Sequence, residues 1–414
     1  MKEAPVDSVP AFTDERSRLS EAQVILKPRK ARPFFGRHPW VLDSAVDRVE
    51  GQPADGDVVD LMSDKGKFVA RGVYNAHSRI RVRLYTWSAG DLLDDDFWQR
   101  RIKAAIALRD KLGYNGSEQA VRLVYSEADG LSGLIVDRYA DYLVVQVTAL
   151  AIEKRLDQLL PLLATIAQPR GIIVRTDHAM AKLEGLDERQ HGGWGEAPTG
   201  PVFIQEHGLK YGVELGAGQK TGFYIDQREN RKAAAGYLRG CRVLDLFCYS
   251  GGFSLTASAL GGASEVLGID SSQSAVALAR ANAELNSISN VHFEVGDAFD
   301  ALDSLVHERR RFDAIVLDPP KFTRTRRSVD EALRAYHRIN RLAVDLLDPG
   351  GILVTCSCSG SVTREDLLYV LAGVAQQTGR DVQILQQRGA AQDHPIRATC
   401  LESEYLKCCI CRVN

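Results

Sequence analysis

Two thiols and a carboxylate stand where covalent chemistry could be done. Cys356 and Cys358, in Thr355-Cys356-Ser357-Cys358-Ser359-Gly360, follow the apolar run Ile352-Leu353-Val354, and Asp318 follows Ala314-Ile315-Val316-Leu317. A cysteine thiolate is an effective carbon nucleophile. The C5 carbon of a pyrimidine is a poor one and becomes enamine-like only after a group has added to C6. A thiolate makes that addition, C5 can then take a methyl, and a base must remove the C5 proton before the sulfur leaves. Asp318, with the backbone around Pro319, could hold N3 and the amine of the ring and offset charge during addition. Residues 356 and 358 share parity, so a regular strand points both at one face. Cys358, further toward the loop, is favoured, with Cys356 as its rival.

A second set of residues reads as a nucleoside pocket. Val243-Leu244-Asp245-Leu246 predicts a strand leading into Phe247-Cys248-Tyr249-Ser250-Gly251-Gly252, a turn whose glycines bring backbone close to a ligand before a helix starts. Asp270 ends the next strand and can accept both ribose hydroxyls. The strand after that leads to Gly296-Asp297, where Asp297 could meet an adenine amine. The first loop lacks G-x-G-x-x-G, the run of amides a diphosphate needs. S-adenosylmethionine has no phosphate, and Asp245, Phe247, Tyr249, Ser250, Gly251, Asp270 and Asp297 supply in order what its methionine, ribose and adenine parts require. In Asp318-Pro319-Pro320-Lys321-Phe322 a lysine replaces the aromatic residue usual in enzymes for exocyclic amines, which argues against an amine target.

The elements that must position these residues are strands alternating with helices, the pattern of an α/β doubly wound sheet. Strands are expected at 243–246, 266–269, 291–294, 314–317 and 352–355, with helices at 254–260 and 274–285. Ahead of them, 93–215 reads as a small α+β domain with a helix over 94–109, strands at 134–136 and 142–146, a helix over 152–166 and a strand at 171–174. Residues 23–92 read as a compact β module, with Arg81 and Arg83 on the outer face of the strand at 80–84. A polar tail occupies 1–22, and the catalytic domain 216–414.

Composition fixes the class. The 414 residues are 45% hydrophobic and 26% charged, suited to folded domains rather than disorder. The net charge of −2 hides a local excess between Val24 and Trp87 of twelve Lys and Arg over seven Asp and Glu, which fits a phosphate-docking surface. All eight cysteines follow Gly240, a distribution no disulfide framework would give. With no signal peptide and no apolar span long enough for a membrane, a cytoplasmic protein is expected. Cys408, Cys409 and Cys411 are too closely spaced for tetrahedral zinc and read as structural thiols in the final strand; no metal is expected.

With these residues assembled, the chain resembles the bacterial large-subunit rRNA cytosine-C5 methyltransferases of the RlmI type, over nearly its full length. Gly36-Arg37-His38-Pro39-Trp40-Val41 and Ile80-Arg81-Val82-Arg83 resemble that family's N-terminal PUA domain, an RNA-binding module. Ser126-Glu127-Ala128-Asp129-Gly130-Leu131 resembles its middle domain, and Lys220-Thr221-Gly222-Phe223-Tyr224-Ile225-Asp226-Gln227-Arg228 the lead-in that helps enclose the cofactor, which adds Gln227 to the pocket. Asp393-His394-Pro395 matches a late motif. The resemblance implies a class I methyltransferase sheet and makes the cysteine before Ser-Gly, Cys358, the nucleophile. Lys321 stands where many RNA cytosine-C5 enzymes carry a second cysteine, so another base must release the product. The target base must be unpaired or extruded, and the phosphate contacts that supply the energy are expected from Arg37, Arg79, Arg81 and Arg83, and from Lys321, Arg324, Arg326 and Arg327 beside the pocket. The expected partner is large-subunit rRNA or an assembly intermediate, with no membrane; a homodimer is compatible with the sequence. A guanine ring-nitrogen methyltransferase of the same fold and a non-catalytic assembly factor are the competing readings.

Overall fold

A computed structural model describes residues 20–176, 178–186, 193–215, 222–322 and 328–414. Six strands form the first sheet: β1 (Gln23–Leu26), β2 (Trp40–Leu42), β3 (Val46–Glu50), β4 (Val58–Met62), β5 (Phe68–Tyr74) and β6 (Ile80–Thr86), with the short helix α1 (Arg32–Phe35) after β1. Their order is β2-β6-β5-β4-β1-β3 around Val24, Leu26, Val41, Val59, Leu61 and Val82. The alternation of apolar with polar residues predicts most of these strands, but β2 is too short and β3 too polar to announce itself.

Helix α2 (Asp95–Lys111) starts where Asp94 accepts the Phe97 amide, an N-cap the sequence shows. Next come β7 (Ala120–Tyr125), β8 (Leu134–Tyr139), β9 (Tyr142–Val147), α3 (Leu150–Glu153), α4 (Leu156–Ala167), β10 (Gly171–Thr176), α5 (His178–Glu184) and β11 (Trp194–Gly195), forming a sheet ordered β11-β10-β9-β8-β7. The helix expected over 152–166 is two helices: the first ends at Glu153 and the second begins at Leu156. The hairpin β12 (Val202–Glu206) and β13 (Leu209–Val213) then leads toward the catalytic sheet; the expected boundary at 216 lies outside the described residues.

The third sheet has seven strands: β14 (Arg242–Leu246), β15 (Glu265–Asp270), β16 (Val291–Val295), β17 (Phe312–Leu317), β18 (Leu347–Ser357), β19 (Val382–Arg388) and β20 (Lys407–Val413), ordered β16-β15-β14-β17-β18-β20-β19. The first five are parallel, and β20 runs antiparallel to both its neighbours. Helices α6 (Arg228–Ala235), α7 (Gly252–Ala259), α8 (Gln273–Leu285), α9 (Ala298–His307), α10 (Val329–Leu346) and α11 (Arg364–Thr378) complete it. Both faces are covered: Val243, Val266, Val316, Val354 and Ile410 pack in one core, Leu244, Leu267, Ile315, Leu353 and Cys411 in the other. This is why the parallel strands read as continuous apolar runs. The class I methyltransferase sheet anticipated from the sequence is present.

Candidate active site

Strand register brings the chemistry-bearing residues to one edge. Leu246 pairs with Ile269 and Leu317, and Leu317 with Thr355, so the strands end level and the residues just beyond them crowd together. After β14 the chain turns sharply: Phe247, Tyr249 and Gly251 all have positive φ (63°, 48° and 85°). Two non-glycine residues in this region mark a backbone held in shape by its surroundings. Asp270 does much of the holding, accepting the amides of Tyr249 (3.0 Å) and Ser272 (2.9 Å). A Cβ on Gly251 would sit 3.0 Å from the Phe293 ring, and its φ of 85° already favours glycine, so the turn is tight there.

Asp245 is buried at the start of this turn. One oxygen takes the Ser254 hydroxyl at 2.6 Å; the other, and the neighbouring Ser250 hydroxyl, are buried with no partner among the described residues. Burial pushes the Asp245 carboxyl up to about 7. Unsatisfied buried polar atoms are costly, and a ligand with amino and carboxylate groups would satisfy them; the turn therefore fits S-adenosylmethionine. Asp297 caps α9, one oxygen accepting the amides of Phe299 and Asp300, and its side chain is exposed at the pocket's outer end. Tyr249 donates to the carbonyl of Gly222 (3.0 Å) and meets Tyr224 edge to face at 5.2 Å.

Beyond β17, Asp318 accepts the Gln227 amide at 2.9 Å. Burial, then the nearby Asp226, pushes its carboxyl up to about 7, with Gln227 opposing. The two cysteines part company here. Because β18 ends at Ser357, the parity expectation fails. Cys356 is fully buried in the core opposite Cys408 on β20, whereas Cys358 lies past the strand end, part-exposed, its sulfur 3.7 Å from the Pro319 carbonyl oxygen. Burial and then Asp318 push the Cys358 thiol up to about 12, against Lys321.

Lys407, which sequence reading passed over, is buried at the first position of β20, across from Ser357. Its ammonium donates to the carbonyls of Ser359 (2.7 Å) and Tyr405 (2.8 Å). Burial pushes it down to about 8, and the charge of Cys358 opposes that fall. A lysine opening the apolar run Lys407-Cys408-Cys409-Ile410-Cys411 is the signal that could have found it.

Comparison with known proteins gives this arrangement a family. Residues 24–87 match the model of a PUA-like domain, and 185–383 that of an S-adenosylmethionine-dependent methyltransferase. A protein of Aeromonas hydrophila named ribosomal RNA large subunit methyltransferase I is 43% identical over 396 residues, covering 95% of this chain and 100% of that one. The chain belongs to this family. A relative of the same name from Escherichia coli is 39% identical over 393 residues, covering 94% of this chain and 99% of its own. Among solved structures, a methyltransferase complexed with SAH superposes with a TM-score of 0.81 at 20% identity, covering 94% of this chain and 99% of that one, a likeness of fold. S-adenosylmethionine is thus the methyl donor.

The arginines expected to meet RNA are placed less simply. Arg79 and Arg37 are exposed. Arg83 is not on an outer face: it is buried in ion pairs with Glu184 (2.8 Å) and Glu127 (3.3 Å), because the middle region covers that side of β6. Arg81 is partly buried and spends its guanidinium on the carbonyls of Asn75 and Ala76. Lys321 is exposed beside Asp318, and Arg324, Arg326 and Arg327 lie outside the described residues. The Asp393-His394-Pro395 motif acquires a physical role: Asp393 accepts the Arg122 amide (3.0 Å), faces His394 (2.9 Å) and lies 3.5 Å from Arg228, while its carbonyl takes Arg109 (2.7 Å). It ties the C-terminal loop to the middle region. Cys408, Cys409 and Cys411 are buried in β20 as free thiols. His38, Cys400 and Glu402 gather in metal-binding proximity. The His38 Nδ1 accepts the Trp40 amide (3.2 Å), which leaves a proton rather than a lone pair on the Nε2 facing Glu402. Among the described residues no helix is long and apolar enough to cross a membrane.

Proposed function

We propose that this protein transfers a methyl group from S-adenosylmethionine to C5 of a cytosine in large-subunit rRNA, through a covalent adduct with Cys358. The observation that carries the reading is the divergence of the two thiols: Cys356 is sealed in the core, and Cys358 lies part-exposed past the end of β18, beside the Pro319 carbonyl. The substrate RNA follows from the names of the relatives; the atom methylated follows from this thiol.

In this scheme the Cys358 thiolate adds to C6, and Asp318, with a carboxyl near 7, donates to N3 and offsets the charge that develops there. S-adenosylmethionine supplies the electrophilic methyl and a positive charge. Lys407 sets the turn carrying Cys358 through the Ser359 carbonyl and offers the thiolate a counter-charge. After transfer the C5 proton leaves to a base, C5=C6 re-forms, N3 returns its proton to Asp318, and the sulfur departs as thiolate. Cysteines that are all free thiols suit the reducing cytoplasm. Mass mapping of modified nucleosides in rRNA from cells lacking the gene tests the reading: loss of one 5-methylcytosine in the large subunit is expected, and loss of a methylguanine instead would refute it.

A further inference from the structure

We propose that Arg101 and Arg397, brought together from helix α2 and the C-terminal loop, form with Arg37, from the turn between α1 and β2, a binding site for a backbone phosphate of RNA beside Gly130. The proposal rests on an RNA substrate and is independent of which atom is methylated.

The site is built by convergence. Gly130, at φ 72°, has no side chain, and a Cβ there would lie 3.2 Å from Arg101 Nη1 and 3.6 Å from Arg397 Nη1. Both guanidinium groups therefore gather over one glycine, close enough for one phosphate to bridge them. Each is held in place by neutral groups. Arg101 donates to the Tyr85 carbonyl (3.2 Å) and lies over the Phe97 ring; Arg397 donates to the Glu127 carbonyl (2.8 Å) and Thr399 hydroxyl (3.0 Å) and lies over Trp87. Among the described residues neither makes an ion pair. Arg71, Arg83, Arg109, Arg122 and Arg231, by contrast, each face a carboxylate.

Nearby acids are engaged elsewhere. Asp91 accepts the Thr86 hydroxyl, Glu127 holds Trp40, Arg83 and Ser132, and Glu402 faces His38. Burial pushes both guanidinium groups below their usual value; Arg100 and Arg37 add to the fall of Arg101 against Asp91, and Arg101 and Arg37 to that of Arg397 against Cys400 and Glu127. Two guanidinium groups over one glycine, neither in an ion pair among the described residues, are stabilised by an anion that bridges them, and a phosphate matches the planar fork of arginine. Arg37 is exposed and makes no side-chain hydrogen bond among the described residues, so it is free to close on the ligand.

The test is fluorescence anisotropy of a labelled stem-loop RNA with the full chain, across a salt series. Arg101→Gln/Arg397→Gln should weaken binding about tenfold and flatten the slope of log K against log salt by about 0.7 to 0.9 for each phosphate no longer neutralised. Arg37→Gln, at an exposed position, should flatten it by a smaller step without altering thermal unfolding, and Arg101→Lys/Arg397→Lys should retain most of the slope. S-adenosylmethionine binding by calorimetry reports whether the donor pocket is intact. If the double Gln variant misfolds, Arg37→Gln decides. Wild-type affinity and slope in the folded double Gln variant or, where it misfolds, in Arg37→Gln would overturn the proposal. A failure of the Cys358 assignment would show as a missing covalent adduct and leave the salt slope unchanged.

Discussion

The carboxyl edge of the catalytic sheet and the outer side of β6 both set polar residues beside apolar strand positions, and the structure treats them oppositely. At the catalytic edge, Asp270, Asp318 and Cys358 lie where strands stop, so loops deliver them into a cleft. On β6, Arg83 lies within the strand, and a second layer carrying Glu127 and Glu184 has closed over it. Period-two alternation tells which face a side chain takes; it does not tell whether that face meets water, a ligand or another part of the chain. Residues at strand ends escape that ambiguity because the carboxyl edge of a parallel sheet is where ligands gather.

The sharpest way to break the comparison is with the two thiols, one inside β18 and one past its end. Cys358→Ala should lower methylation by roughly 10³-fold or more, whereas Cys356→Ala should cost about 1 kcal/mol of stability through a small cavity and leave methylation within a few-fold. Rates on transcribed rRNA and thermal unfolding of both variants separate the two.

Arg83 gives the next largest effect. Arg83→Gln leaves two acids buried without their partner and should cost about 3 kcal/mol in chemical denaturation. A stability-neutral Arg83→Gln that instead weakens RNA binding would return this residue to the surface.

Asp318→Asn should lower kcat about 10²-fold if its proton serves N3. It should also act on stability with a defined sign. The folded carboxyl sits near 7, above the roughly 4 of an unfolded chain, so its ionisation opposes folding. That penalty is absent below about pH 4, grows as pH rises, and is complete above about pH 7. The variant should therefore be more stable than wild type at pH 8 and no more stable at pH 4, read by denaturant midpoints.

The smallest expected effect is that of Lys407→Met, which keeps the chain length and removes the charge. Iodoacetamide labelling of Cys358 should shift to higher pH, slowing several-fold at pH 8. An unmoved pH profile would reduce Lys407 to a structural role.

Much of the fold was legible because most of the catalytic strands are dominated by short apolar runs bounded by turn residues, and because Asp245, Asp270, Asp297 and Asp318 fall in order at or just beyond the ends of those runs. The division between Cys356 and Cys358 was not, since it depends on β18 stopping at Ser357, a boundary set by pairing with β20 far along the chain. Lys407 and the gathering of Arg37, Arg101 and Arg397 were hidden for the same reason: their neighbours are distant in sequence, and only tertiary packing supplies them.

The most direct test of the central claim is incubation of the protein with S-adenosylmethionine and RNA carrying 5-fluorocytosine, which blocks loss of the C5 substituent, followed by peptide mapping of the trapped complex. A covalent RNA adduct on the peptide containing Cys358, absent in Cys358→Ala and retained in Cys356→Ala, is the result expected. An adduct on Cys356, or full methylation by the Cys356→Ala/Cys358→Ala double variant, would contradict it.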